Sequence, residues 1–322
     1  MAEGERSIDD VAMFLAEHHG DTVTDLECLR GGYWSSAYAY RAAGRELVVR
    51  FGQLRDGYDM DQAAGSWTGP DLPIPEVLAV GDAFDGAFAI SVRHHGQFLE
   101  DVGVDDAPVA GAALERMLRA LRAVPSPEGA PAEWHPPGQD AATSTWHRWL
   151  LDSLVDDPTR TVSGWRATLA ADPTLDSLYR RCEERIGQLL ESCPERRDVV
   201  HSDLLHQNVL MSEDWSRATA LFSWKCSVRG DFLFDVAWCT FWSTWYPGIA
   251  AIDLWNRTVD DPSLAGELGD APVRHHCYEL VIGANHLGWH TWTGDRTELQ
   301  RVADRTAGIL ERGPLAVTRS TR

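Results

Sequence analysis

The spacing of apolar and polar positions changes character once along this chain. Near residues 35–41 and 46–51, runs such as Ser-Ser-Ala-Tyr-Ala-Tyr and Glu-Leu-Val-Val-Arg-Phe predict two strands with one buried face. Further strands are predicted near 77–80 and 87–92, with helices over 7–19 and near 58–67. Together these make residues 1–93 a small β-rich α+β lobe. From there the period becomes helical. Residues 107–124 put Leu114, Met117, Leu118 and Leu121 on one face. The prolines at 125, 127, 131, 136 and 137 interrupt the pattern and predict a long, mobile loop over 125–138. Helices follow near 144–155 and 174–192. A hairpin comes next, with strands at 208–211 and 218–222 around a turn at 212–216. The remainder is helical to about residue 312, so residues 94–322 form the larger, helical lobe. No internal repeat is present.

Composition narrows the function. With 322 residues, 44% of them apolar, the chain can bury a sizeable core. A net charge of −20 argues against nucleic acid, which demands basic faces, and suits a cationic small molecule. No apolar run is long enough to span a membrane, and the N-terminus lacks a signal-peptide pattern, so a cytoplasmic protein is expected. The six cysteines are scattered without metal-binding spacing and are expected to be reduced thiols. His286 and His290 lie four apart on one helix face but have no evident third ligand for zinc. Of the fourteen tryptophans, Trp224, Trp238, Trp242, Trp245, Trp255, Trp289 and Trp292 fall in the C-terminal third. They read as core packing or as an aromatic wall for a flat or cationic ligand.

The densest chemistry lies between residues 199 and 242. The run Val-Val-His-Ser-Asp-Leu-Leu-His-Gln-Asn-Val-Leu over 199–210 resembles the catalytic loop of an ATP-dependent kinase. Phosphoryl transfer needs a carboxylate to accept or orient the acceptor hydroxyl and ligands for Mg²⁺ on the phosphates. Asp203 and Asn208 have the spacing for those two roles, and His201 would brace the loop on nearby backbone. Taken alone, the same residues also read as a turn cap and a strand start. Further on, Asp231 is placed to cap an apolar helix, and Asp235 to pin the loop through backbone N–H groups.

Four stretches together resemble the aminoglycoside phosphotransferases, and among them the hygromycin B branch. They are Gly31 to Tyr38 with Glu46 to Phe51, Leu72 to Gly81, Val200 to Asn208, and Gly230 to Trp238. They follow the family's order over roughly the whole chain. The resemblance implies a two-lobed, protein-kinase-like α+β fold with ATP between the lobes and O-phosphorylation of a small hydroxylated molecule. It puts the phosphates under the loop at 29–36. There Gly31 and Gly32 would allow close backbone approach, and Ser35 and Ser36 would donate to phosphate oxygens. Arg50 stands where most kinases carry a lysine and can clamp phosphate bidentately. Asp59 and Asp61 are the nearest candidate partners for Arg50, although two exposed acids at a helix start is the plainer reading. The backbone at Ser91 to Arg93 would meet adenine. The C-terminal helices would line the acceptor pocket.

Departures from the pattern qualify the chemistry. Ser223 stands where the family has a metal-binding Asp, so Asn208 and Ser223 leave Mg²⁺ with neutral ligands. Ser202 replaces a usual glycine, which is tolerable at negative φ and costly otherwise. Lys225, the only lysine of the chain, lies two residues beyond Ser223. It reads as a substitute for part of the metal's charge, as a group of different chemistry, or as an ordinary surface lysine. Two functions follow. One is ATP-dependent O-phosphotransfer to a small hydroxylated, aminoglycoside-like molecule, with Asp203 orienting the hydroxyl. The other is a repurposed kinase fold, either a non-phosphorylating biosynthetic enzyme or a binding pseudokinase, using Lys225 and Asp203.

Overall fold

The computed structural model describes residues 6–20, 23–30, 32–134 and 145–316. Five strands build the N-terminal sheet: β1 (Thr24–Leu29), β2 (Ser35–Ala42), β3 (Arg45–Gly52), β4 (Val77–Ala83) and β5 (Gly86–Val92). Their order is β1-β2-β3-β5-β4, and every neighbouring pair is antiparallel. The β2–β3 connection is a two-residue turn at Ala43 and Gly44, with φ of 47° and 74°. Such turns match the right-handed twist of the strands they join. Alternation along β3 assigns the faces. Leu47, Val49 and Phe51 join Tyr38, Tyr40, Phe88 and Ile90 in one apolar cluster. The helix α1 (Ile8–His19) covers that cluster with Val11 and Leu15. Ser7 caps α1 by accepting the Asp10 N–H at 3.1 Å. Val48 and Arg50 face the other way, into a cavity.

Beneath that second face runs α2 (Arg55–Ala64). Its Tyr58 packs with Ala87 and Ala89 of the sheet, whereas Met60 and Ala64 belong to the main core of the C-terminal region. This one helix therefore joins the two parts of the molecule.

The C-terminal region is mostly helical. It contains α3 (Ala107–Arg122), α4 (Trp146–Asp152), α5 (Trp165–Ala170), α6 (Pro173–Leu189), α7 (Leu233–Trp242), α8 (Pro247–Ile252), α9 (Leu254–Asp260), α10 (Ala271–Thr293) and α11 (Arg296–Arg312). Buried residues occur all round α7 and along α10, as expected for helices inside a core. Their junction is polar and satisfied: Asp231 takes Arg274 at 2.8 and 2.7 Å and the Tyr278 hydroxyl at 2.7 Å. The capping role expected of Asp231 shrinks to one bond, from the Leu233 N–H at 3.2 Å. Short strands frame the loops: β6 (Gln97–Phe98), β8 (Val209–Met211) and β9 (Ala218–Leu221) form one sheet, and β7 (Asp198–Val200) pairs with β10 (Val228–Gly230).

Several elements differ from the sequence expectation. β1 has mostly exposed positions and so no apolar alternation to reveal it. β6, β7, β10 and α5 are too short to show a period. The helix expected near 58–67 begins at Arg55, and the one expected near 144–155 spans Trp146–Asp152. Within the expected mobile loop, residues 125–134 are anchored. Trp134 is buried and donates to Ser227 Oγ at 2.9 Å, and Ala132 accepts the Arg229 N–H at 2.6 Å. Pro136 and Pro137 lie outside the described residues. Among the described residues no disulfide forms, and no helix is long and apolar enough to cross a membrane.

Candidate active site

A cavity of about 1340 Å³ opens between the sheet and the helical region. Ser35, Arg50, Ser91 and Arg93 reach it from the sheet, and Asp203, Asn208, Ser223 and Lys225 from the other side. Asp203, Asn208 and Ser223, expected at the centre of phosphoryl transfer, thus line one space.

The loop after β7 is held from behind. Asp235, on the first turn of α7, is buried and accepts the His201 N–H at 2.9 Å and the Ser202 N–H at 2.8 Å. Burial pushes its pKa up to about 7, against the pull of the two N–H groups. Ser202 has φ of 58°, so the costly alternative for a serine in a glycine position is the one realised. Its hydroxyl donates to the Cys226 carbonyl. His201 is fully buried and is not a cavity residue. Its Nε2 meets the Phe222 carbonyl at 3.1 Å, and its Nδ1 accepts the Asp203 N–H at 3.3 Å. This fixes the neutral tautomer, and burial lowers the pKa in the same sense. His201 therefore braces the loop and cannot itself touch a substrate in the cavity.

Asp203 is held on both oxygens. His206 Nδ1 lies 2.8 Å from Oδ1, and Asn208 Nδ2 donates to Oδ2 at 2.9 Å. Asn208 Nδ2 also reaches the carbonyls of Asp203 and Leu205, at 2.8 and 3.0 Å. Its Oδ1 is thus the atom available to a ligand. His206 escaped the sequence reading, although its position three residues after Asp203 was the available signal. Burial opposes its imidazolium, but the bond to Asp203 and the charges of Asp203 and Glu100 outweigh burial and raise its pKa. The Gln207 N–H is taken by Glu100.

On the sheet side, Arg50 pairs with Asp61 of α2, a buried contact. Asp61 also accepts the Trp224 N–H at 2.7 Å. The plainer reading of Asp61, as an exposed helix-start acid, is corrected; Asp59 instead lies 3.7 Å from Arg55. Ser36 is buried and, by strand alternation, does not line the cavity that Ser35 and Ala37 line. Gly32 lines it too, and Gly31 lies outside the described residues. The N–H groups of Val92 and Arg93 bond to the Glu76 and Glu46 carbonyls, both at 3.0 Å. A base meeting this segment would take its donor from a later residue, His94 being the next.

The donor set for a metal is weak. Asn208 and Ser223 offer neutral oxygens. The nearby carboxylates are committed, Asp61 as above and Asp56 to Lys225. Among the described residues no group of three or more His, Cys, Asp or Glu side chains is placed to hold a metal ion. These residues do not fit a magnesium ion held by the protein alone. Lys225 crosses from the turn after Ser223 to Asp56 on the first turn of α2. Gly57 makes room for it, since a Cβ there would stand 3.3 Å from Lys225 Cδ.

The family model for the phosphotransferase enzyme family matches residues 25–267. The chain belongs to that family. It is 28% identical to the hygromycin-B 4-O-kinase of Escherichia coli, over 99% of this chain and 90% of that one. Its fold matches the crystal structure of aminoglycoside phosphotransferase APH(4)-Ia with a TM-score of 0.82 and 27% identity, covering 96% of this chain and 100% of that one. A thermostable mutant of that enzyme, in ternary complex with AMP-PNP and hygromycin B, matches with a TM-score of 0.80 and 27% identity, over 94% and 98% of the two chains. These relatives lend no support to the non-phosphorylating or binding-only alternative. The two-lobed kinase-like fold expected from the resemblance is the fold of the family members it matches.

Family membership directs attention to the aromatic side of the cavity. Tyr33 and Trp34 of the loop before β2 are partly exposed and rest on α10. Their rings lie 5.0 and 5.4 Å from Trp289, and Trp34 stacks on Trp292 at 5.9 Å. The expected phosphate-covering loop is therefore in contact with the helix that carries His286 and His290.

Proposed function

We propose that this chain transfers the γ-phosphoryl group of ATP to a hydroxyl of a small, polyhydroxylated molecule of the aminoglycoside kind. Asp203 orients the acceptor hydroxyl and takes up its proton. His206 and Asn208 keep the carboxylate aimed. Arg50, fixed by Asp61, neutralises phosphate charge together with the backbone and Ser35 of the loop at 32–36. Asn208 and Ser223 would offer only neutral oxygens to a cation carried in on the nucleotide, whose charge the phosphates would have to balance. The observation that carries this reading is the doubly held Asp203 in the same cavity as Arg50 and Ser223. The nucleotide and acceptor classes are supported by relatives crystallised with AMP-PNP or ADP and hygromycin B.

The test is ADP release from ATP in the presence of hygromycin B, with phosphorylated product identified by mass. Asp203→Asn keeps the size and most hydrogen bonds but cannot accept the proton, and a positioned general base contributes about 10²–10⁴-fold. The expected result is a loss of that order in kcat with nucleotide affinity within about threefold of the parent. Product formation that survives Asp203→Asn within tenfold defeats the assignment.

A further inference from the structure

Among the described residues, the arginine and lysine side chains that line the cavity are Arg30, Arg50, Arg93 and Lys225. Three of these charges are already spent. Arg50 pairs with Asp61, Arg93 with Glu27 at 2.8 Å, and Lys225 with Asp56. Arg30 is the exception. It is exposed and meets no carboxylate among the described residues. With 49 acids and 29 bases in the chain, acids are plentiful, yet none is placed to neutralise it.

Arg30 follows directly on β1 and opens the connection to β2. The far end of that connection, Tyr33 and Trp34, rests on Trp289 of α10. The near end is tied to the catalytic loop by Arg30 itself. With the Gln207 amide turned to satisfy both groups, its Oε1 accepts Arg30 Nε at 3.0 Å and Nη2 at 3.1 Å. Arg30 Cζ also lies 5.8 Å from the centre of the Phe98 ring, within cation–π range. Gln207 is fixed in turn. Its N–H goes to Glu100, and its neighbour Asn208 is bonded to the Asp203 carboxylate.

This arrangement orients a guanidinium without neutralising it. An amide oxygen is an acceptor with no charge, and most of the N–H donors of Arg30 remain free. A planar cation held in this way, with an open fork, matches the oxygens of a phosphate. The cavity is also short of positive charge for a triphosphate. Arg50 is shared with a buried carboxylate, and Asn208 and Ser223 are weak anchors for a metal ion. Arg30 supplies a cavity charge that no protein carboxylate has claimed.

We propose that Arg30 is a phosphate ligand of the nucleotide. Gln207 steadies its Nε edge, and the remaining donors clamp the triphosphate from the catalytic-loop side, opposite Arg50. The proposal rests on the phosphotransferase reading for the choice of a nucleotide, but it concerns binding and is tested without turnover.

Calorimetry on the full chain compares AMP-PNP with adenosine, which has the base and ribose but no phosphate, in the parent, Arg30→Gln and Arg30→Lys. Arg30→Gln is expected to weaken AMP-PNP about ten- to a hundredfold, the value of a hydrogen-bonded charge, and adenosine less than about twofold. Arg30→Lys keeps the charge without the fork and is expected to fall between. Added KCl is expected to weaken AMP-PNP binding more in the parent than in Arg30→Gln, since one screened contact is missing there. An unchanged urea midpoint verifies that both variants fold. Equal loss of AMP-PNP and adenosine affinity reduces Arg30 to a strap between the cavity walls and overturns the proposal. So does AMP-PNP binding in Arg30→Gln within about threefold of the parent, the same salt dependence in both, or no AMP-PNP binding by the parent. Selective loss of AMP-PNP affinity in a chain that never releases ADP from ATP removes the phosphotransfer reading and leaves this one standing. ADP release with hygromycin B that is indifferent to Arg30→Gln does the reverse.

Discussion

Asp61 is the side chain whose removal probes the cleft most directly. Its carboxylate and the Arg50 guanidinium are 5% and 16% exposed, and it reaches across to the Trp224 N–H on the opposite wall at 2.7 Å. Asp61→Asn keeps the volume and one oxygen for Trp224 but leaves Arg50 facing a neutral amide. Stripping one partner from a buried ion pair costs about 3–5 kcal/mol. Because Arg50 borders the cavity, water recovers part of that, and about 2–3 kcal/mol is expected for Asp61→Asn. Asp61→Ala also strands the Trp224 N–H, for about 1–3 kcal/mol more. Urea unfolding with an unchanged m-value measures both differences.

The pair also makes a functional prediction. With its orientation lost, Arg50 presents phosphate with a mobile cation, and the KM for ATP rises while acceptor binding holds. Adding Arg50→Met to Asp61→Asn removes the stranded charge and is expected to recover most of the stability but none of the ATP affinity. A double-mutant cycle separates the two effects. If Asp61→Asn unfolds within about 0.5 kcal/mol of the parent, the range of an ordinary surface change, and binds ATP as well as before, Arg50 and Asp61 do not join the two walls as argued.

Two further predictions bear on the same loops. Ser223→Asp adds a charged ligand at a residue with φ of 73°, a conformation aspartate adopts more readily than serine; magnesium-dependent kcat/KM is expected to rise at least about tenfold, and a flat or reduced rate in saturating magnesium counts against the view that this position limits turnover. Asp235 holds its proton more tightly when folded, to about pH 7, than in the unfolded chain, where a carboxylate titrates near about 4. Its contribution is therefore complete below about pH 4 and is lost as the pH rises to about 7, a swing of up to about 4 kcal/mol. The stability difference between the parent and Asp235→Asn is expected to fall across that window, and a difference constant with pH refutes the shift.

The parts legible in the sequence were those set by local periodicity and by fixed spacing. The alternation of β2 and β3 gave both strands and the inward face of Arg50. The five-residue step from Asp203 to Asn208 predicts that the two side chains meet, as they do at 2.9 Å, because a tight loop between strands leaves few ways to keep them apart. What stayed hidden depends on distant packing. Whether Asp61 is an exposed acid or a buried anchor turns on where Trp224 arrives, and those residues are far apart in sequence. Ser36 reads as a phosphate donor like Ser35 because neighbours in sequence look equivalent until strand phase separates them. His206 has no periodic signature, only its position three residues beyond Asp203. β1 lacks a buried face, so hydrophobic patterning had nothing to detect.

The strained positions show how this region is specified. Ser202, Gln207 and Ser223 all have left-handed backbone, with φ of 58°, 69° and 73°. Such conformations cost a non-glycine residue about 1–2 kcal/mol each and persist only where surroundings enforce them. At each, a carboxylate withdrawn from solvent accepts a backbone N–H at or next to the strained residue: Asp235 from Ser202, Glu100 from Gln207, and Asp61 from Trp224 beside Ser223. These acids come from α7, from the turn after β6 and from α2. A loop shape that serine and glutamine would not choose is thus imposed from three directions. Asp203, the carboxylate to which we assign the proton transfer, can then be held by side chains alone, and a substitution at any of the three supporting acids is expected to disturb the cavity and the stability of the fold together.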